Sequence, residues 1–219
     1  MIERPSSNCE PRPDGVPVDT LVLHYTGMES AEAALERMCD PAAKVSAHYC
    51  IDEDGAITRL VPEDQRAWHA GAAYWRGETD INARSIGIEL VNPGHEFGYR
   101  PFPEVQITAL TLIASAILRR HPIPSRNIVG HSDIAPSRKQ DPGELFDWQR
   151  LARVGIGLWP EPIPAKPEDV PMMLNEYGYS AEEDGAVAAF QRHFRPARVD
   201  GVADNETAGL LAGLLAIAD

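Results

Sequence analysis

SIGIELVN, residues Ser85 to Asn92, alternates without a break. A period of two sends Ile86, Ile88 and Leu90 to one face and Gly87 and Glu89 to the other, as in a strand with one apolar side. Glu89 therefore points away from the apolar face. A carboxylate there needs water or partners, so Glu89 is either an exposed surface group or part of a functional cleft. TLVLHYT (Thr20 to Thr26) reads as a second strand and delivers His24 near its end. NIVGH (Asn127 to His131) reads as a third, short strand leading into GHSDIAPSRKQDPG, Gly130 to Gly143, a Pro/Gly/Ser-punctuated loop that holds His131, Lys139 and Asp141. SAEAALERMCD reads as a helix capped by Ser30. AHYCI and AITRLV flank Asp54-Gly55 as a hairpin. Between Pro103 and His121, the residues Ile107, Leu110, Ala114, Ile117 and Leu118 recur at helical spacing and predict the longest helix, packed on the sheet.

Two strand-like segments each bring one imidazole, and the loop adds a carboxylate with a lysine beside it. His24, His131 and Asp141, with one coordination position left open, make up a ligand set used by catalytic zinc. The competing reading is that both histidines are ordinary core or hydrogen-bonding residues at strand ends. Cys9, Cys39 and Cys50 are an odd set at unpatterned spacing, so they suggest neither a disulfide framework nor a zinc cluster and fit a reducing compartment.

The segments LVLHYTG, VSAHYCI, AWHAG, NARSIGIELVN and GHSDIAPSRKQDPG, in that order, resemble the zinc-dependent N-acetylmuramoyl-L-alanine amidases of the amidase-2 family, the AmpD/AmiD type. AYWRG, DPGELFDWQRL and GIGLWPE resemble the AmiD branch more specifically. The resemblance covers about residues 17 to 160. It implies an α/β (α+β) fold, with a central mixed β-sheet flanked by helices and the metal at one edge. It implies one Zn2+ held by His24, His131 and Asp141, with Glu89 as the general base and Lys139 stabilising the oxyanion. The implied reaction is hydrolysis of the amide between (anhydro-)N-acetylmuramic acid and L-alanine of muropeptides or peptidoglycan fragments, in recycling or turnover. Trp68 and His69 are then candidates for the substrate cleft, and His48 is structural. Asn82 and Arg84 are candidates for binding peptide carboxylates, because arginine pairs with them bidentately; plain surface exposure is the rival for Arg84. Asp133 either caps its loop or orients a ligand, and His95 and His193 carry no motif.

A non-catalytic peptidoglycan or muropeptide recognition protein on the same fold is the alternative function. Such proteins lose metal ligands, whereas the ligand types, the acid and the lysine are all present here. A zinc D,D-carboxypeptidase would need a histidine-rich motif that is absent, and the phage-type amidases use cysteine where this chain has Asp141.

Beyond about Pro160 the texture changes. We expect an amidase domain over 1–160, a Pro-rich linker over 161–169 and a small three-helix domain over 170–219. WPEPIPAKPEDVP is rich in proline, which removes backbone donors and favours extended chain. VPMMLNEYGYS, EDGAVAAFQRHFRP and VDGVADNETAGLLAGLLA then read as three short amphipathic helices. They resemble the peptidoglycan-binding domain that accompanies cell-wall hydrolases; a packing appendage that only stabilises the amidase is the other reading. A net charge of −13 argues against nucleic acid as a partner and against an anionic membrane surface. No run of about 18 or more apolar residues is present to span a bilayer. MIERPSSNCEPRPDG lacks the apolar core of a signal peptide, so the expected compartment is the cytoplasm, or the periplasm if the amino terminus has been trimmed.

Overall fold

A computed structural model of the chain describes residues 1–180 and 183–218. In chain order its strands are β1 (Ile2–Glu3), β2 (Cys9–Pro11), β3 (Thr20–Tyr25), β4 (Tyr49–Ile51), β5 (Ile57–Arg59), β6 (Gln65–Ala67), β7 (Ser85–Leu90) and β8 (Ile128–Gly130). Its helices are α1 (Ala31–Cys39), α2 (Ile81–Arg84), α3 (Gly94–Phe97), α4 (Glu104–Arg120), α5 (His131–Ile134), α6 (Trp148–Ala152), α7 (Val170–Tyr177), α8 (Ala186–Phe194) and α9 (Asn205–Ile217). The main sheet is mixed and runs β1-β5-β4-β7-β3-β8, while β2 and β6 form a separate antiparallel pair. SIGIELVN thus becomes an interior strand, parallel to β3 on one side and to β4 on the other.

Alternation along the parallel strands assigns the two faces of the sheet. Leu21 and Leu23 of β3, with Ile86, Ile88 and Leu90 of β7, pack against Ile107, Leu110, Ile113, Ala114 and Ile117 of α4. Each leucine or isoleucine among them, taken fully out of water, contributes about 1.5–3 kcal/mol, so this interface is the main anchor of the sheet. Gln106 is the polar exception on α4: its Nε2 donates to Ile51 O and Val91 O, both at 3.0 Å, satisfying carbonyls at the ends of two strands. Ser30 caps α1, its hydroxyl accepting from Ala33 N at 3.2 Å. The β4–β5 hairpin turns at Asp54-Gly55, where Gly55 takes φ +85.

The opposite face carries Val22 and Val129, which share one apolar cluster with Ile134, Tyr179, Phe190 and Leu211. The three C-terminal helices are therefore packed onto the sheet side of the molecule. The Pro-rich stretch before them lies along α9: Ile163 N donates to Gly209 O at 3.1 Å, and Glu161 O sits against Gly213. Among the described residues no helix is long and apolar enough to cross a membrane.

Candidate metal centre and active-site cleft

Strand register assembles the site. β3 and β7 are in parallel register with His24 opposite Glu89, and β3 and β8 with Leu23 opposite Gly130, so His131 follows directly beside His24. Three neighbouring strands thus deliver Glu89, His24 and His131 at their carboxyl ends, the edge where open α/β sheets place their ligands. After β8 the chain makes the single helical turn α5, and Ser132 N donates to Asp141 O at 2.9 Å, folding Asp141 back over His131.

His24 Nδ1, His131 Nδ1 and Asp141 Oδ2 converge, with separations of 3.0, 3.0 and 3.1 Å. All three residues are buried and form a group able to hold a metal ion. His131 Nε2 donates to Ala70 O at 3.1 Å; a carbonyl only accepts, so the ring proton is on Nε2 and Nδ1 presents a lone pair. Zinc bonds of about 2.0–2.1 Å at tetrahedral angles put ligand atoms roughly 3.3 Å apart, close to this triangle. Converging lone pairs repel unless a cation lies among them, so the donor set fits zinc. Burial pushes His24 down to about 4 despite Asp141 beside it, which keeps the ring neutral. For Asp141 burial acts to raise the carboxyl, but His131 and His24 outweigh it and hold it well below the usual range.

A second layer orients His24. With Nδ1 as a ligand atom, its proton lies on Nε2, which donates to His69 Nδ1 at 3.0 Å; His69 Nε2 in turn donates to Ser85 Oγ at 3.1 Å. The His69 ring lies flat over Gly87, where a Cβ would meet its Cγ at 2.5 Å. Gly87 is thus the strand glycine that lets a ring approach the backbone. Asn82 Oδ1 accepts from His69 N at 3.0 Å and Ala70 N at 2.8 Å, fixing the backbone that carries both the orienting imidazole and the carbonyl acceptor of His131.

A cleft of about 370 Å³ opens over this centre and is lined by Glu89, Lys139, Asp141, His131, His69 and Arg138, among others. Glu89 Oε2 is buried with no hydrogen-bond partner among the described residues. Burial and the charge of Asp141 push its carboxyl well above the ordinary value, and Lys139 opposes them. Lys139 makes no ion pair among the described residues.

Residues 14–144 match the Amidase_2 family, N-acetylmuramoyl-L-alanine amidase. This chain belongs to that family. The amidase AmiD of Escherichia coli is 39% identical over 90% of this chain and 82% of its own length. The 1,6-anhydro-N-acetylmuramyl-L-alanine amidase AmpD of Citrobacter freundii is 36% identical over 67% of this chain and 86% of its own. The structure of E. coli AmiD in complex with the substrate anhydro-N-acetylmuramic acid-L-Ala-D-gamma-Glu-L-Lys superposes with a TM-score of 0.82 at 36% identity, covering 94% of this chain and 92% of AmiD. AmpDh3 of Pseudomonas aeruginosa, complexed with anhydromuramic pentapeptide, superposes at 0.78 with 35% identity, covering 92% of each chain.

In this amidase the expected site residues fall into three groups. His24, His131, Asp141, Glu89, Lys139 and His69 come together at the cleft. Asn82 stands behind it in a positioning place. Trp68 and Arg84 do not line it: the Trp68 indole donates to Glu10 Oε1 at 3.3 Å, and Arg84 pairs with Asp19 and Glu78. Arg84 precedes β7, so the rise of the strand puts it about 16 Å from Glu89, at the opposite end of the sheet. Its ion pairs raise its already high pKa further, hydrogen bonding to Asp19 first among the causes. Reading the motifs alone misses Ser85 and Gly87; the one available signal was a glycine inside an otherwise perfect strand.

Proposed function

We propose that this N-acetylmuramoyl-L-alanine amidase is a zinc enzyme that cleaves the amide joining the lactyl carboxyl of N-acetylmuramic acid, anhydro or ordinary, to L-alanine of muropeptides. The observation that carries the reading is the unpartnered Oε2 of Glu89, facing the same cleft as the His24/His131/Asp141 triangle and the Lys139 ammonium. His24 and His131 through Nδ1, and Asp141 through Oδ2, would hold the ion. Zinc, when bound, supplies Lewis acidity: it polarises a carbonyl and brings the pKa of water to roughly 7. Glu89 accepts one proton from the attacking water as the C–O bond forms, then returns it to the departing nitrogen of alanine as the C–N bond breaks. The products are a free lactyl carboxylate and a free peptide amine. Lys139 stabilises the negative charge that develops on the carbonyl oxygen. His69 and Asn82 hold the ligand geometry so that little reorganisation is needed during the reaction.

The test gives zinc-loaded protein an equal mixture of an anhydromuropeptide and the matching ordinary muropeptide, with products followed by mass spectrometry. Release of free stem peptide is expected, and Glu89→Gln should lower turnover by roughly 10²–10⁴ while zinc content stays unchanged. Zinc and muropeptide binding without any release would replace the enzyme reading by a recognition protein. Unchanged turnover in Glu89→Gln would remove Glu89 from the mechanism.

A further inference from the structure

We propose that the C-terminal helices position the metal loop, with His193 and Tyr179 acting through Asp133 on His131. Asp133 lies two residues after His131 within α5 and is only 1% exposed. Its Oδ2 accepts from Gly130 N at 2.7 Å, closing its own loop. Its remaining acceptor capacity is met from the C-terminal third of the chain. Tyr179 OH donates to Oδ1 at 2.7 Å, and His193 Nδ1 lies 2.7 Å from Oδ2. A buried carboxylate that loses such partners keeps the full desolvation penalty and is driven to move or to draw in water.

The surrounding packing leaves the loop little room to compensate. His193 is stacked between Trp148 and Phe194, with ring centroids 3.7 and 3.9 Å away. Trp148 also packs against Gly130, where a Cβ would lie 3.3 Å from its ring and 2.7 Å from Pro142 Cδ. On the far side of the loop, Gly185, just before α8, sits against Pro136 O. The loop carrying both His131 and Asp141 is thus clamped between the sheet and α8. In this arrangement the C-terminal helices buttress the metal loop from the side away from the cleft.

The proposal rests on the reading of His131 as a metal ligand, and the experiment separates the two. Full-length wild type, Tyr179→Phe, His193→Leu, His193→Asn and the control Leu214→Val are titrated with zinc against a chromogenic chelator. Thermal melts and the visible absorption of the cobalt-substituted proteins are recorded alongside. Leu214 is buried in α9, in the apolar cluster of the C-terminal helices, and offers Asp133 no hydrogen bond, so its substitution reports on a loss of stability without removing a partner of Asp133. Zinc affinity is expected to fall roughly tenfold in His193→Leu and less in Tyr179→Phe, the lower end of the effect of losing a ligand-orienting partner. The cobalt spectrum should shift in the same two variants. His193→Asn, whose amide can donate from near the Nδ1 position, should recover most of the affinity. Leu214→Val should melt at a lower temperature with wild-type affinity. If wild type binds no zinc, the metal reading fails and the proposal with it. If wild type binds and His193→Leu matches it in affinity and spectrum, or if Leu214→Val loses affinity equally, the positioning role is overturned.

Discussion

Gly87→Ala adds one methyl group to β7 and should damage the metal centre from behind. The new Cβ would stand 2.5, 2.6 and 2.7 Å from Cγ, Cδ2 and Nδ1 of His69. Carbon contacts settle at about 3.5–4.0 Å, so the ring must retreat by roughly 1 Å. The backbone cannot yield instead, because β7 is paired to β3 on one side and β4 on the other. Retreat along the ring normal bends the 3.0 Å contact with His24 and the 3.1 Å contact with Ser85 out of line and lengthens each to about 3.2–3.3 Å, weakening both. Two effects follow. Overpacking lowers stability by about 1–3 kcal/mol. Misplacing the His24 partner should weaken zinc binding by about tenfold, the lower end of the effect of removing such a partner. Chelator competition measures the second and thermal or urea unfolding the first. The double variant Gly87→Ala/His69→Ser separates them, since the smaller side chain leaves room for the methyl but does not restore the orienting imidazole. Its stability should recover while its zinc affinity stays low. A Gly87→Ala protein with wild-type stability and wild-type zinc affinity would refute both the tight contact and the role of His69.

Acid stability should depend on Glu63. Burial disfavours its charge, but Arg120, Tyr49 and His121 outweigh burial and hold it at about 2. A depressed carboxyl contributes stability above its unfolded value of about 4.5 and loses it as pH falls toward 2, up to about 3 kcal/mol here. Urea midpoints between about pH 6 and pH 3 should therefore fall less steeply in Glu63→Gln than in wild type, and equal slopes would sink the assignment. Gly213→Ala sets two effects against each other. Alanine favours the helix by about 1 kcal/mol, but its Cβ would collide with the backbone carbonyl of Glu161, and overpacking of about 1–3 kcal/mol should win. A raised melting temperature would show that the Pro-rich stretch moves aside freely.

Local patterns carried much of this protein. Alternation placed Glu89 opposite Ile86, Ile88 and Leu90, helical spacing found α4, and Ser30 and Asp54-Gly55 marked a cap and a turn, because each depends on residues within a few positions of one another. The ordered motifs carried the family for the same reason. Register and packing decided the rest. Only the parallel pairing of β7, β3 and β8 puts Glu89, His24 and His131 side by side, and the same pairing sends Arg84 to the far end of the sheet although it is five residues from Glu89. The partners of Asp133 lie 46 and 60 residues away in sequence, and nothing in HSDI or in QRHF announces that they meet. A buried charge chooses its partners by where the chain brings donors within hydrogen-bond distance. That is a property of the folded chain as a whole, and no local window of sequence contains it.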